Sequence, residues 1–142
     1  MTVTTSAPPE GFEPHFRKSP LTEPWEPIYS KRTEDRVVIG LYTREVHTNS
    51  RGLIHGGLIA ALADNAMGLS CVAVLTAEGR KPEGGLVTVS MATDFIGSAK
   101  LGQWVAFDTS YVKTGRTLCF AQAFVTADGE VIARADARFK VL

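Results

Sequence analysis

Between Gly56 and Thr76 the chain carries one charged side chain, Asp64, in Gly56-Gly57-Leu58-Ile59-Ala60-Ala61-Leu62-Ala63-Asp64-Asn65-Ala66-Met67-Gly68-Leu69-Ser70-Cys71-Val72-Ala73-Val74-Leu75-Thr76. No proline interrupts it, and it predicts one helix of about five to six turns. The segment is apolar nearly all round, so it has to be covered on more than one side. That requirement constrains the fold more than any other feature.

The material to cover it follows in sequence. Arg36 to Thr43 reads as a strand, with a weaker one near Trp25 to Lys31, and four β segments come after the helix: Leu86 to Ile96, Gln103 to Lys113, Thr117 to Thr126 and Val131 to Val141. Alternation places Val87, Val89, Met91 and Phe95 on one face of the first. It groups Leu118, Phe120 and Phe124 on the third; the second alternates less cleanly. In the fourth, Val131, Ala133, Ala135, Ala137, Phe139 and Val141 face one way and Ile132, Arg134, Asp136, Arg138 and Lys140 the other. Asp128-Gly129 and Thr114-Gly115 mark hairpins. The implied class is α+β, an antiparallel sheet curved around one long central helix.

Six of the seven prolines lie within the first 27 residues. Residues 1–25 therefore read as a Pro-rich arm, disordered in part and then lying over the body, and 26–142 as a single domain. Lys+Arg and Asp+Glu are each 15, giving zero net charge, which excludes broad electrostatic capture of nucleic acid or anionic membrane. No basic start precedes an apolar run, so no secretory leader is expected. The apolar segment, cut by Asp64, reads as too short to span a bilayer. Cys71 and Cys119 lack metal-type spacing and read as reduced core residues of a cytoplasmic protein. His15 and His47 have no visible partner and read as surface or structural residues.

The helix opening is the first chemical feature. A helix N-terminus presents free N–H groups and partial positive charge, and Gly56 and Gly57 would let a ligand approach them closely. Such a donor is worth about 3 to 4 kcal/mol to an acyl-transfer transition state. The simpler reading is a flexible helix start. Asp64 is the second feature, because an unpaired charge among apolar neighbours costs several kcal/mol. A structural carboxylate paired with an arginine or with backbone N–H groups accounts for it as well as a catalytic one does. Ala60, Ala61, Met67, Gly68 and Cys71 flank it at helical spacing, and Leu58, Leu62, Leu69 and Val72 form the opposite packing face. His55 and Asp64 are separated by nine residues, about 13.5 Å of rise. They cannot easily serve one reacting atom within a subunit, whereas a two-fold dimer could bring Asp64 of one chain to the helix opening of the other.

Thr48-Asn49, Gly52, His55-Gly56-Gly57 and Asp64-Asn65, continued through Leu86-Val87-Thr88-Val89-Ser90, Ala99-Lys100-Leu101-Gly102 and Lys113-Thr114-Gly115-Arg116-Thr117-Leu118, resemble the signature of hotdog-fold acyl-CoA thioesterases of the phenylacetic acid degradation type. The resemblance covers residues 30 to 142. It implies a hotdog fold, homodimers joined edge to edge and paired into tetramers, and sites between two subunits. By position, Gly56 or Gly57 N–H would polarise the thioester carbonyl. His55 and Asn49 would orient the thioester or the nucleophile, and Asp64 of the partner would act as general base or as nucleophile. Thr88 would place water, although Val87 and Val89 assign its hydroxyl to the other face unless the strand bulges. Arg116, Lys100, Lys113, Arg80 and Lys81 are candidate contacts for coenzyme A phosphates, and equally ordinary solvated charges. No cofactor or metal is implied: an activated thioester needs only a carboxylate, a polarising dipole and a placed water.

The substrate expectation is an aryl- or medium-chain acyl-CoA, with Met67, Phe95 and the aromatic arm near the acyl group. A hotdog hydratase or dehydratase, and a non-catalytic acyl-CoA-binding protein, are the competing readings. The His-Gly-Gly to Asp64 arrangement favours hydrolysis.

Overall fold

The computed structural model describes residues 6–142. Seven strands form one antiparallel sheet in the order β1-β2-β3-β5-β6-β7-β4. They are β1 (Glu13–Pro14), β2 (Tyr29–Arg32), β3 (Val37–Tyr42), β4 (Leu86–Phe95), β5 (Trp104–Thr114), β6 (Leu118–Ala127) and β7 (Glu130–Val141). The helix α1 spans Gly56–Ala77 and packs on β3, β4, β5, β6 and β7. Short 3₁₀ turns occupy Glu23–Trp25 and Glu45–His47.

The sheet can wrap closely because its helix-facing side is lined with small residues. Ala121, Ala123, Ala133, Ala135 and Ala137 are all buried there, beside Val105, Phe107, Val125 and Phe139. From the helix come Leu58, Ile59, Leu62, Ala63, Ala66, Met67, Cys71 and Leu75. Leu118, Phe120 and Phe124 do share a face, and it is the solvent face. By length and composition α1 could cross a bilayer, contrary to the sequence expectation; half of its most apolar stretch is buried in the fold. Cys71 and Cys119 are free, buried thiols, and burial pushes Cys71 up to about 12.

Three bulges break the alternation read from sequence. A register shift between Thr88 and Ser90 makes Thr88 oppose Phe139 and Met91 oppose Ala137. Opposed residues share a face, so Thr88 turns inward with Met91, while Val87 and Val89 are largely exposed. A shift at Val125/Thr126 likewise reverses the start of β7: Ile132 is buried and Val131 is exposed. A shift between Thr109 and Tyr111 explains the imperfect alternation of β5. The turn at Asp128-Gly129 has positive φ at both residues, as a two-residue hairpin requires.

The described part of the arm is docked. Phe12 packs edge-on to Trp104 at 5.0 Å, and Tyr42 packs on the same indole. The Tyr42 hydroxyl donates to the Ala7 carbonyl. Pro14 and Glu13 pair with β2. The first five residues, on which part of the expected disorder falls, lie outside the described residues. His15 and His47 are both buried, hence structural rather than on the surface. His47 Nδ1 accepts from Arg44 N–H, and its Nε2–H donates to the Trp25 carbonyl.

Candidate active site

His55 caps the helix and satisfies most of its first turn. Its Nδ1 accepts from Gly57 N–H at 2.8 Å, and its carbonyl accepts from Leu58 and Ile59 N–H. Of the four N–H groups that a helix start leaves unpaired, only that of Gly56 has no partner among the described residues. The sequence could not choose between Gly56 and Gly57; the ring position of His55 does. Gly57 has its own reason to be glycine, since a Cβ there would stand 3.0 Å from the His55 ring. With Nδ1 accepting, the exposed imidazole carries its proton on Nε2 and presents it outward. The Phe95 ring lies over Gly56, 3.3 Å from where a Cβ would be.

Asn49 builds the loop that delivers this opening. Its Oδ1 accepts from Arg51 and Leu53 N–H, an Asx turn. Thr48 bridges Ile54 and Leu53 bridges Lys100, while His55 N–H donates to the His47 carbonyl. The Asn49 carbonyl oxygen is thus engaged in shaping the loop, and its amide N–H groups have no acceptor among the described residues.

Asp64 lies eight residues beyond Gly56, about 12 Å along the axis. Its Oδ1 accepts a 2.6 Å hydrogen bond from Thr88 Oγ1, the contact that the β4 bulge makes possible. No arginine pairs with it among the described residues. A half-open cleft of about 220 Å³ lies beside it, lined by Asp64, Asn65, Gly68, Leu69, Val72, Leu86, Phe139 and Arg17. Leu69 and Val72, expected on a packing face, line this cleft instead. Met67, expected near the acyl group, is fully buried in the core. Gly56 and His55 are not part of the cleft wall. One subunit therefore holds a carboxylate-hydroxyl pair and an unpaired helix-start N–H that do not meet.

The candidate phosphate contacts divide between the two ends of the helix. Arg80 donates to the Arg116 carbonyl beyond its C-terminus. Lys113 precedes Thr114, whose hydroxyl binds Glu78 in the same region, and Lys81 lines a second cleft there. Lys100 sits at the opposite end, beside the loop before Gly56.

This fold agrees with what the chain is similar to. Residues 51–133 match the model of the thioesterase superfamily. The chain belongs to that superfamily. It is 36% identical over 132 residues, 92% of this chain and 95% of the relative, to PA0474 of Pseudomonas aeruginosa, which is named provisionally as an esterase. To human acyl-coenzyme A thioesterase 13 it is 36% identical over 101 residues, 70% of this chain and 68% of the relative. Among solved structures, a hypothetical thioesterase from Streptococcus pneumoniae, determined with coenzyme A, superposes with a TM-score of 0.69 at 22% identity, over 80% of this chain and 87% of that one. The chain is a thioester hydrolase with the hotdog fold. The sequence missed Arg17 as a lining residue of the cleft: an arginine in a Pro-rich arm carries no local signal of where the arm docks.

Proposed function

We propose that this protein is an acyl-CoA thioesterase that hydrolyses an aryl- or medium-chain acyl-CoA to free acid and coenzyme A, at sites assembled between two subunits. The observation that carries this reading is the 2.6 Å Thr88–Asp64 hydrogen bond on one helix face, set apart from the one free N–H at the helix start. A thioester carbonyl oxygen must sit about 3 Å from its donor, and a base must reach its water at similar range. A separation of about 12 Å along one helix is too long for that, and a second copy of the chain shortens it.

β4 is the natural seam. It is an edge strand of ten residues with Val87 and Val89 exposed, and an unpaired edge of this kind is a template for pairing with another chain. It also carries Thr88, so Asp64 lies next to the seam. A two-fold axis there makes the contact isologous and produces two equivalent sites. In each, Gly56 N–H of one chain polarises the carbonyl, and Asp64 of the other, oriented by Thr88, activates water or attacks directly. His55 presents Nε2–H beside the same carbonyl. The thiolate of coenzyme A leaves without needing a strong acid.

The test is release of free thiol from a panel of aryl- and alkyl-CoA esters, with Asp64→Ala alongside. Cys71 and Cys119 are buried, and burial raises both thiols, which keeps their background reaction low. Hydrolysis by the wild type and its loss in Asp64→Ala, with the fold retained, supports the proposal. Turnover retained in Asp64→Ala refutes the assignment.

A further inference from the structure

The cleft beside Asp64 does not end there. A second cleft, about 570 Å³, adjoins it and shares Arg17, Val72 and Gly85 with it. Together they follow Asp64, Gly68, Val72 and Thr76, a stripe of four-residue steps covering about 18 Å of helix. Next to Asp64 the walls are mixed, with Leu69, Leu86 and Phe139 beside Asn65 and Arg17. At the far end Lys81 stands with one carboxylate, Glu83, and Arg17 lines both clefts. Arg80, next in sequence to Lys81, donates to the Arg116 carbonyl. The groove thus runs from Asp64, past Arg17 where the two clefts join, to Lys81 beyond the end of the helix.

Arg17 belongs to the N-terminal arm, and its neighbours are all tied down. His15 is 3% exposed, with Nε2 against Asn65 Oδ1 at 3.2 Å. Phe16 lies under the Arg32 guanidinium at 4.3 Å. Lys18 pairs with Glu26 at 3.1 Å. Arg17 alone has neither an ion pair nor a hydrogen bond among the described residues. The arm therefore presents an exposed, unpaired guanidinium at the junction of the two clefts, open to an anion.

We propose that the arm is part of the coenzyme A site: Arg17 binds a phosphate of the coenzyme, and the pantetheine chain lies along the groove between the arm and the start of β4. A thioester at Asp64 and a polyanionic end towards Arg17 and Lys81 match the two ends of the groove. This inference rests on the acyl-CoA reading and extends it to the arm. It also gathers the divided cations. In a two-fold pair with antiparallel helices, Lys100 of each chain moves to the end where Arg17, Lys81, Arg80 and Arg116 of the other stand.

Calorimetric binding of coenzyme A and of pantetheine to the wild type, Arg17→Ala and Arg17→Lys tests it. Arg17→Ala should weaken coenzyme A about 5- to 20-fold, as expected for one charge-assisted phosphate contact reduced by solvent screening at an exposed arginine, and leave pantetheine unchanged. Arg17→Lys should recover part of the loss. In turnover, KM should rise by the same factor with kcat nearly constant, and added salt should shrink the difference. Equal coenzyme A affinity in the wild type and Arg17→Ala overturns the inference. So does equal weakening of coenzyme A and pantetheine, which would mean that Arg17 only packs the arm. A wild type that binds no coenzyme A overturns the thioesterase reading beneath it, a result distinct from either.

Discussion

Replacing Gly56 by proline removes one backbone N–H and little else. Gly56 is the first helical residue, the position where proline's fixed φ suits a helix and its missing donor disturbs no helical bond. The preceding residue, His55, has φ −73° and ψ 131°, the extended geometry that a following proline favours. The N–H deleted is the one that His55 leaves unpaired. Loss of a single oxyanion donor costs about 2.7 to 4 kcal/mol, or 10²- to 10³-fold in kcat. The new Cβ would approach the Phe95 ring, 3.3 Å away, but that ring is 52% exposed and free to yield. Gly56→Ala is the control, because it adds the same Cβ and keeps the N–H. Thiol release from a saturating acyl-CoA should show Gly56→Ala within a few-fold of wild type and Gly56→Pro down 10²- to 10³-fold, with the helical circular dichroism of both unchanged. A Gly56→Pro variant as active as Gly56→Ala would refute the role of this N–H.

Thr88→Val keeps the strand's β-branched shape and deletes the hydroxyl that binds Asp64. A hydrogen bond to a charged group is worth about 1.5 to 3 kcal/mol, so kcat should fall by about one to two orders of magnitude, Thr88→Ser should retain most activity, and wild-type kcat in Thr88→Val would sink the pairing. Gly40→Ala would put a Cβ 2.1 Å from the Trp104 ring; thermal unfolding should show destabilisation of about 1 to 3 kcal/mol, with faster proteolysis of the arm that Trp104 anchors. Burial lowers both His15 and His47 from their usual range. The unfolded chain then binds these protons first, so stability should be full above about pH 6.5 and decline as pH falls through the lowered native values; a thermal midpoint constant between pH 7 and 5 would contradict this.

What was legible in the sequence follows from how locally each feature is determined. The helix, its opening and Asp64 are written in a continuous apolar segment and one break in it. The hairpin at Asp128-Gly129 is set by two residues. The bulges at Val89 and Ile132 were not legible, because an extra residue in a strand is defined only by the partner strand's register. For that reason Thr88 read as facing away from Asp64, and the structure turns it inward. Gly56 and Gly57 were equivalent as sequence; the rotamer of His55 separates them. The path of the arm depends on the Trp104 face laid over Gly40 and on a part-buried hydrogen bond between His15 and Asn65, both remote in sequence. Arg17 owes its place entirely to that path.

The shared site is the central claim, and mixing two dead enzymes tests it most directly. Asp64→Ala and Gly56→Pro each damage both sites of their own homodimer. In a heterodimer, a site that takes Asp64 from one chain and Gly56 from the other carries both lesions once and neither lesion once. Unfolding the two variants together and refolding them as a random mixture should therefore restore about a quarter of wild-type activity, half the dimers being mixed with one intact site each. Activity no higher than the sum of the two variants refolded separately would mean that each subunit holds its own complete site.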